Sequence, residues 1–155
     1  MRMSYMKTVI QLATENARSG QGGPFAAVVV KNGKIIARGT NRVVRTNDPT
    51  WHAEIHAIRE ACRVLKNFQL TGCEMYTNCE PCPMCLGAIY WARLQRIYFA
   101  ARSAAAAAAG FDDAFIYRDI KRPRSKRRIP LRQVRCEAAL EPFDVWEQNQ
   151  DRVPY

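Results

Sequence analysis

The succession of local patterns along these 155 residues predicts one α/β layered domain. Three observations carry that prediction. A leading segment spaces its apolar residues like a helix, an Asn32-Gly33 pair marks a tight hairpin, and helix and strand patterns alternate after it. The length suits a single domain with a sizeable core, and 48% hydrophobic with 25% charged residues is the make-up of a folded chain.

Residues 4–18 place Tyr5, Val9, Leu12 and Ala13 at helical intervals, and Gly20 supplies a stop. Gly22-Gly23-Pro24 then breaks the chain before a buried-strand run, Phe25 to Val30. Asn32-Gly33 turns it into a returning strand over Lys34–Gly39, and residues 40–51 read as a loop. Asp48 or Thr50 is expected to cap the next helix, which carries His52 and Glu54 in its first turns and faces the core with Ile55, Ile58, Ala61, Cys62 and Leu65. Residues 73–79 alternate as a third strand, a helix covers 82–92, and Arg96–Ala100 form a fourth strand. The run Ala104–Ala109 has high helix propensity, Gly110 ends it, and Phe111–Tyr117 starts another short helix. Gln133–Cys136 is read as an edge strand, and a last helix over about 141–151 is anchored by Phe143, Val145 and Trp146.

The chemistry concentrates in two short stretches, His52-Ala53-Glu54 and Pro81-Cys82-Pro83-Met84-Cys85. One imidazole and two thiolates make a good zinc set, with a fourth tetrahedral position left for water. Bound zinc brings the pKa of water to about 7 in favourable sites. Glu54, two residues past the histidine, is placed to move protons without binding the metal. Pro81 suits the first position of a helix, with Cys82 and Cys85 on one face of its opening turn, where the helix dipole favours thiolate. A lone C-x-x-C would fit a redox pair or a structural zinc knuckle equally well. The full order H-x-E…P-C-x-x-C is the signature of zinc nucleobase deaminases.

Six cysteines here read as metal ligands and buried thiols, not a disulfide framework, with Cys62, Cys73, Cys79 and Cys136 taken as packing residues. The N-terminus lacks the apolar core of a signal peptide, and no stretch approaches the about 20 apolar residues of a membrane span, so a cytoplasmic protein is expected. The net charge of +10 is uneven: residues 118–135 hold nine basic side chains against Asp119, a local +8. Such a run would hold a phosphate backbone, yet it has no interleaved aromatics to stack bases, which favours a solvated surface loop.

Several stretches resemble the bacterial guanine deaminases of the cytidine-deaminase-like superfamily: GGPFAAVVVKNGKIIARGTN, NDPTWHAEIHAIREAC, YTNCEPCPMCLGAIYWAR, GFDDAFIY and the terminal tyrosine. The resemblance implies a three-layer α/β/α sandwich with a central five-stranded mixed sheet, and a homodimer that exchanges a C-terminal segment of about 137–155. It implies one zinc per subunit on His52, Cys82 and Cys85, with Glu54 as proton shuttle. Asn41 would hydrogen-bond a purine base, Phe25 and Trp91 would pack against its ring, and Asp113 with Tyr155 would read the guanine edge. The reaction implied is hydrolysis of guanine at C2 to xanthine and ammonia. Taken singly, Phe25 and Trp91 would be core residues, Asn41 a turn residue, Asp112 and Asp113 first-turn acids, and Tyr155 a frayed end. The alanine run and the basic loop depart from the family's pattern. Guanosine deamination and tRNA adenosine deamination are the rival activities, and a zinc-stabilised nucleic-acid module using residues 118–135 is the rival without catalysis.

Overall fold

A computed structural model describes residues 1–155. The chain divides into two compact units, Met1–Phe115 and Ile116–Tyr155. The first holds α1 (Arg2–Arg18), β1 (Ala26–Lys31), β2 (Lys34–Thr40), α2 (Val43–Thr46), α3 (Ala53–Leu65), β3 (Cys73–Cys79), α4 (Pro83–Trp91), β4 (Arg96–Ala101) and α5 (Ser103–Ala108). Helix α6 (Ala114–Ile120) runs across the boundary, and the second unit ends in α7 (Glu141–Gln148).

The sheet is mixed, in the order β2-β1-β3-β4: β1 pairs antiparallel with β2 and β3, and β3 pairs parallel with β4. Four strands form it, not the five expected. Residues 133–136 are exposed and outside any strand, because an edge strand needs a partner and this segment has no ladder in the chain. Period-two alternation divides β1 between two cores. Ala26, Val28 and Val30 pack with Val9 and Ala13 of α1, while Ala27 and Val29 pack with Ala53, Ala57, Ala61 and Ile89 of α3 and α4. Both faces of β1 are therefore covered, which explains its unbroken apolar run and gives three layers.

The hairpin is as expected, with Asn32 at φ 49° and Gly33 at φ 73°, the two positive angles of a type I′ turn. Helix α3 keeps its expected core face at Ile58, Ala61, Cys62 and Leu65, without Ile55, and adds a buried row that starts at Ala53. That row is Ala53, Ala57 and Ala61, with Ile58, Cys62 and Leu65 packed beside it. The cause is Gly39: a Cβ there would stand 2.2 Å from the Ala53 carbonyl oxygen and 2.4 Å from the Ala57 nitrogen. The helix lies on the bare backbone of β2, and only alanine fits between.

In the second unit, Asp119 organises the basic run. It accepts from Arg122 Nη1 at 3.4 Å and from the Arg128 backbone N–H at 3.0 Å, while Arg127 donates to the Ile120 and Arg122 carbonyls. Phe143, Val145 and Trp146, expected as anchors of α7, are exposed in the single chain, as is Cys136. No helix is long and apolar enough to cross a membrane.

Candidate active site

Two helix N-termini meet at the site. His52 is the N-cap of α3 (φ −75°, ψ 158°) and Cys82 the N-cap of α4 (φ −68°, ψ 167°), both extended and neither making a side-chain capping bond. Asp48 and Thr50 do not cap α3. Asp48 Oδ1 instead accepts from the Thr50 N–H at 2.8 Å and its hydroxyl at 2.6 Å, closing the turn before the helix. Pro83, not Pro81, holds the first helical position of α4. The physical reason is local: a residue before proline avoids helical angles, so Cys82 is held outside the helix and Pro83 opens it.

Sγ of Cys82 and Sγ of Cys85 each lie 3.5 Å from His52 Nδ1, and all three ligand atoms fall within 4.8 Å of one another. A tetrahedral zinc with Zn–S of ~2.3 Å and Zn–N of ~2.05 Å would separate nitrogen from sulfur by about 3.6 Å, so the donors fit. No fourth His, Cys, Asp or Glu joins the group, as a catalytic site requires. The Cys82 thiol is held down at about 4, chiefly by the hydrogen bond it receives from Cys85 and then by His52. Cys85, hydrogen-bonded to Cys82 and fully buried, is pushed up, and His52 is raised by its bond to Cys82. The positive ends of the two helices favour the same thiolate.

Glu54, 5% exposed, sits in the first turn of α3. Its Oε1 accepts from the Thr77 hydroxyl at 2.8 Å, and its Oε2 lies 3.4 Å from Cys85 Sγ. Burial raises its pKa, which readies it to hold a proton. Beside it opens a cavity of about 450 Å³ lined by Phe25, Asn41, His52, Glu54, Cys82 and Asp113 among others. Asn41 Oδ1 accepts from the backbone N–H groups of Gly23 at 3.2 Å and Val43 at 3.4 Å, so its amide nitrogen is the group left to donate. Gly22 permits this turn: a Cβ there would lie 2.0 Å from the Asn41 carbonyl oxygen. Phe25 meets Phe111 edge to face at 4.9 Å, and Asn78 braces it by accepting from Ala26 N–H and donating to the Pro24 carbonyl, each at 2.9 Å. Asp112 is engaged by the Ala114 N–H at 2.9 Å, whereas desolvation, then the Cys82 charge, raises the pKa of Asp113.

The structure thus gathers His52, Cys82, Cys85, Glu54, Phe25, Asn41 and Asp113. Trp91 ends α4 at 66% exposed and does not line this cavity, and Tyr155 is 71% exposed in the second unit. Sequence reasoning missed Thr77, Glu80 and Phe111. The alternation of β3 was the signal for Thr77, which it puts on the face of Met75 and Cys79 that meets α3.

Residues 2–101 match the family described as the cytidine and deoxycytidylate deaminase zinc-binding region. The chain is 51% identical to the guanine deaminase of Bacillus subtilis (strain 168) over 98% of its own length and 97% of that protein's. The crystal structure of guanine deaminase from Bacillus subtilis superposes with a TM-score of 0.98 at 50% identity, covering 100% of this chain and 99% of that one. The tRNA-specific adenosine deaminase of Aquifex aeolicus (strain VF5) is 40% identical over 63% of this chain and 64% of its own.

Proposed function

The chain belongs to the cytidine and deoxycytidylate deaminase zinc-binding family, and within it we propose that it hydrolyses guanine to xanthine and ammonia. One observation carries the substrate: Asp113, an acceptor, lines the same cavity as Glu54 and the metal ligands. Guanine offers N–H donors at N1 and the 2-amino group, and adenine has a ring acceptor where guanine has N1–H. Sites that hydrogen-bond a substrate group reject analogues lacking it by about 10⁴–10⁵.

His52, Cys82 and Cys85 would hold one zinc, which when bound makes water nucleophilic near neutral pH. Glu54 takes the proton from the attacking water and returns protons to the ring nitrogen and to the departing ammonia. Asn41 donates from its amide to a purine acceptor, and Phe25 supplies an apolar surface to the ring. Trp91 and Tyr155 enter through the second part of the proposal, a homodimer in which a segment of about 137–155 is exchanged and Tyr155 of a second copy closes the pocket. Two features support that assembly. Helix α4 is apolar around its circumference, and Phe143, Val145 and Trp146 of α7 are exposed in one chain. The proposed compartment is the cytoplasm, where thiolate ligands stay reduced. The likeness to the tRNA deaminase covers 63% of this chain, and the basic run carries no aromatic side chain, so the free base is the better substrate.

The test is ammonia release from the zinc-loaded protein with guanine, guanosine, adenine and an RNA hairpin offered separately. Guanine alone should react. Equal turnover of adenine would remove the role given to Asp113, and preference for guanosine or the hairpin would replace the substrate.

A further inference from the structure

Thr77 is wholly buried in the middle of a strand, where valine of the same shape would pack without a polar group to desolvate. Its hydroxyl has one short acceptor, Glu54 Oε1 at 2.8 Å, and a longer one, the Ala26 carbonyl at 3.3 Å. The carboxylate also accepts from the backbone N–H of Glu54 itself, and the other side chain beside it is Cys85, whose sulfur lies 3.4 Å from Oε2. Once Cys85 serves as a thiolate ligand it has no proton to give, which leaves Thr77 as the side chain that can donate to Glu54. The last torsion of a glutamate is broad and roughly two-fold, so one local backbone donor does not by itself fix which oxygen faces the cavity.

We infer that Thr77 is a positioning residue: its hydroxyl fixes Oε1 of Glu54 and thereby leaves Oε2 to face the reacting water and base. This rests on the deaminase reading above. The register of the sheet builds it in. β3 alternates so that Met75, Thr77 and Cys79 face the α3 side, and Gly39 lets α3 approach closely enough for Glu54 to reach the strand. Orientation of a proton carrier acts on the reaction step and hardly on binding of the ground state, because the purine contacts come from other residues.

The experiment compares zinc-loaded wild type, Thr77→Val and Thr77→Ser by steady-state turnover of guanine, with metal content and thermal unfolding measured on each. Loss of an outer hydrogen-bond partner of this kind typically costs about 10–100-fold in activity. Thr77→Val should therefore lose about that factor in kcat, keep KM within about threefold and keep its zinc, and Thr77→Ser should recover most of the kcat. Unchanged kcat in Thr77→Val overturns the inference while leaving the deaminase standing. So does an equal loss in the valine and serine variants, or a loss confined to KM. If Thr77→Val fails to fold, kcat of Thr77→Ser against Thr77→Ala decides, the same way round. A wild type inert on guanine overturns the deaminase reading and this inference with it.

Discussion

Adding a single methyl group at Gly39 tests how the fold delivers the site. The Cβ of Gly39→Ala would stand 2.2 Å from the Ala53 carbonyl oxygen and 2.4 Å from the Ala57 nitrogen, against 3.4 Å for the near edge of ordinary contact. Both neighbours are backbone, so no side chain can swing aside, and α3 must rise from β2 by about 1 Å. Overpacking of this kind costs about 1–3 kcal/mol. Alanine recovers about 0.4–1 kcal/mol by restricting the unfolded chain. The midpoints of these ranges leave a net loss of about 1.3 kcal/mol, which lowers Tm by about 3–5 °C for a chain of this size. Helix α3 begins one residue after His52 and carries Glu54, so the shift separates both from the cysteines of α4. A misplacement of about 1 Å can cost about 10²-fold in rate. Differential scanning calorimetry with guanine turnover on the zinc-loaded variant reads both effects. Wild-type Tm together with wild-type turnover would refute the close packing of α3 on β2.

Glu54→Gln keeps the shape and the Thr77 contact but cannot carry the proton; zinc should stay bound while kcat falls by about 10²–10⁴, measured by ammonia release. Asp113→Asn replaces one of the two carboxylate acceptors that would meet guanine N1–H and its 2-amino group with a donor. It should lower kcat/KM for guanine by at least about 10²-fold without changing metal content, and equal kinetics would discard the aspartate as the guanine reader. On the opposite face of the sheet, burial and then Glu74 push the Tyr76 phenol up to about 12, so between pH 10 and 12 the native state binds the proton more tightly than the unfolded chain. That contribution is complete below pH 10 and disappears as pH rises toward 12. It amounts to at most about 3 kcal/mol, and denaturant titrations of Tyr76→Phe should show a flatter loss over that range.

The metal set was legible because ligand chemistry demands fixed residue types at fixed spacing, and His52, Cys82 and Cys85 satisfy it within two short segments. The start of α4 was legible too, though it was misplaced: proline follows Cys82, and that alone puts the cysteine outside the helix. The alanine row of α3 was hidden, because it depends on Gly39 of another element coming within contact distance. The missing fifth strand failed for a related reason. Gln133–Cys136 has strand-like residues, but a strand exists only where a neighbouring edge accepts its hydrogen bonds. Thr77 looked like any residue of an alternating strand, and its partner lies 23 positions away on a helix.

In the proposed reading, the groups that carry the chemistry and the acceptor that reads guanine lie in different stretches of this chain. The family match ends at residue 101, and His52, Glu54, Cys82 and Cys85 all fall inside it. Phe111 and Asp113, which wall the same cavity, lie beyond it. A metal set with a proton carrier can serve any aminated ring, since attack and proton return involve only the reacting carbon, its neighbouring nitrogen and the leaving amine. What distinguishes one ring from another is the pattern of donors and acceptors on its edge, and under the proposed function Asp113, in the segment after β4, would meet that edge together with Asn41. Substitutions at residues 111–113 should therefore move substrate preference while metal binding holds. Substitutions at Glu54 or the ligands should lower turnover of every base alike.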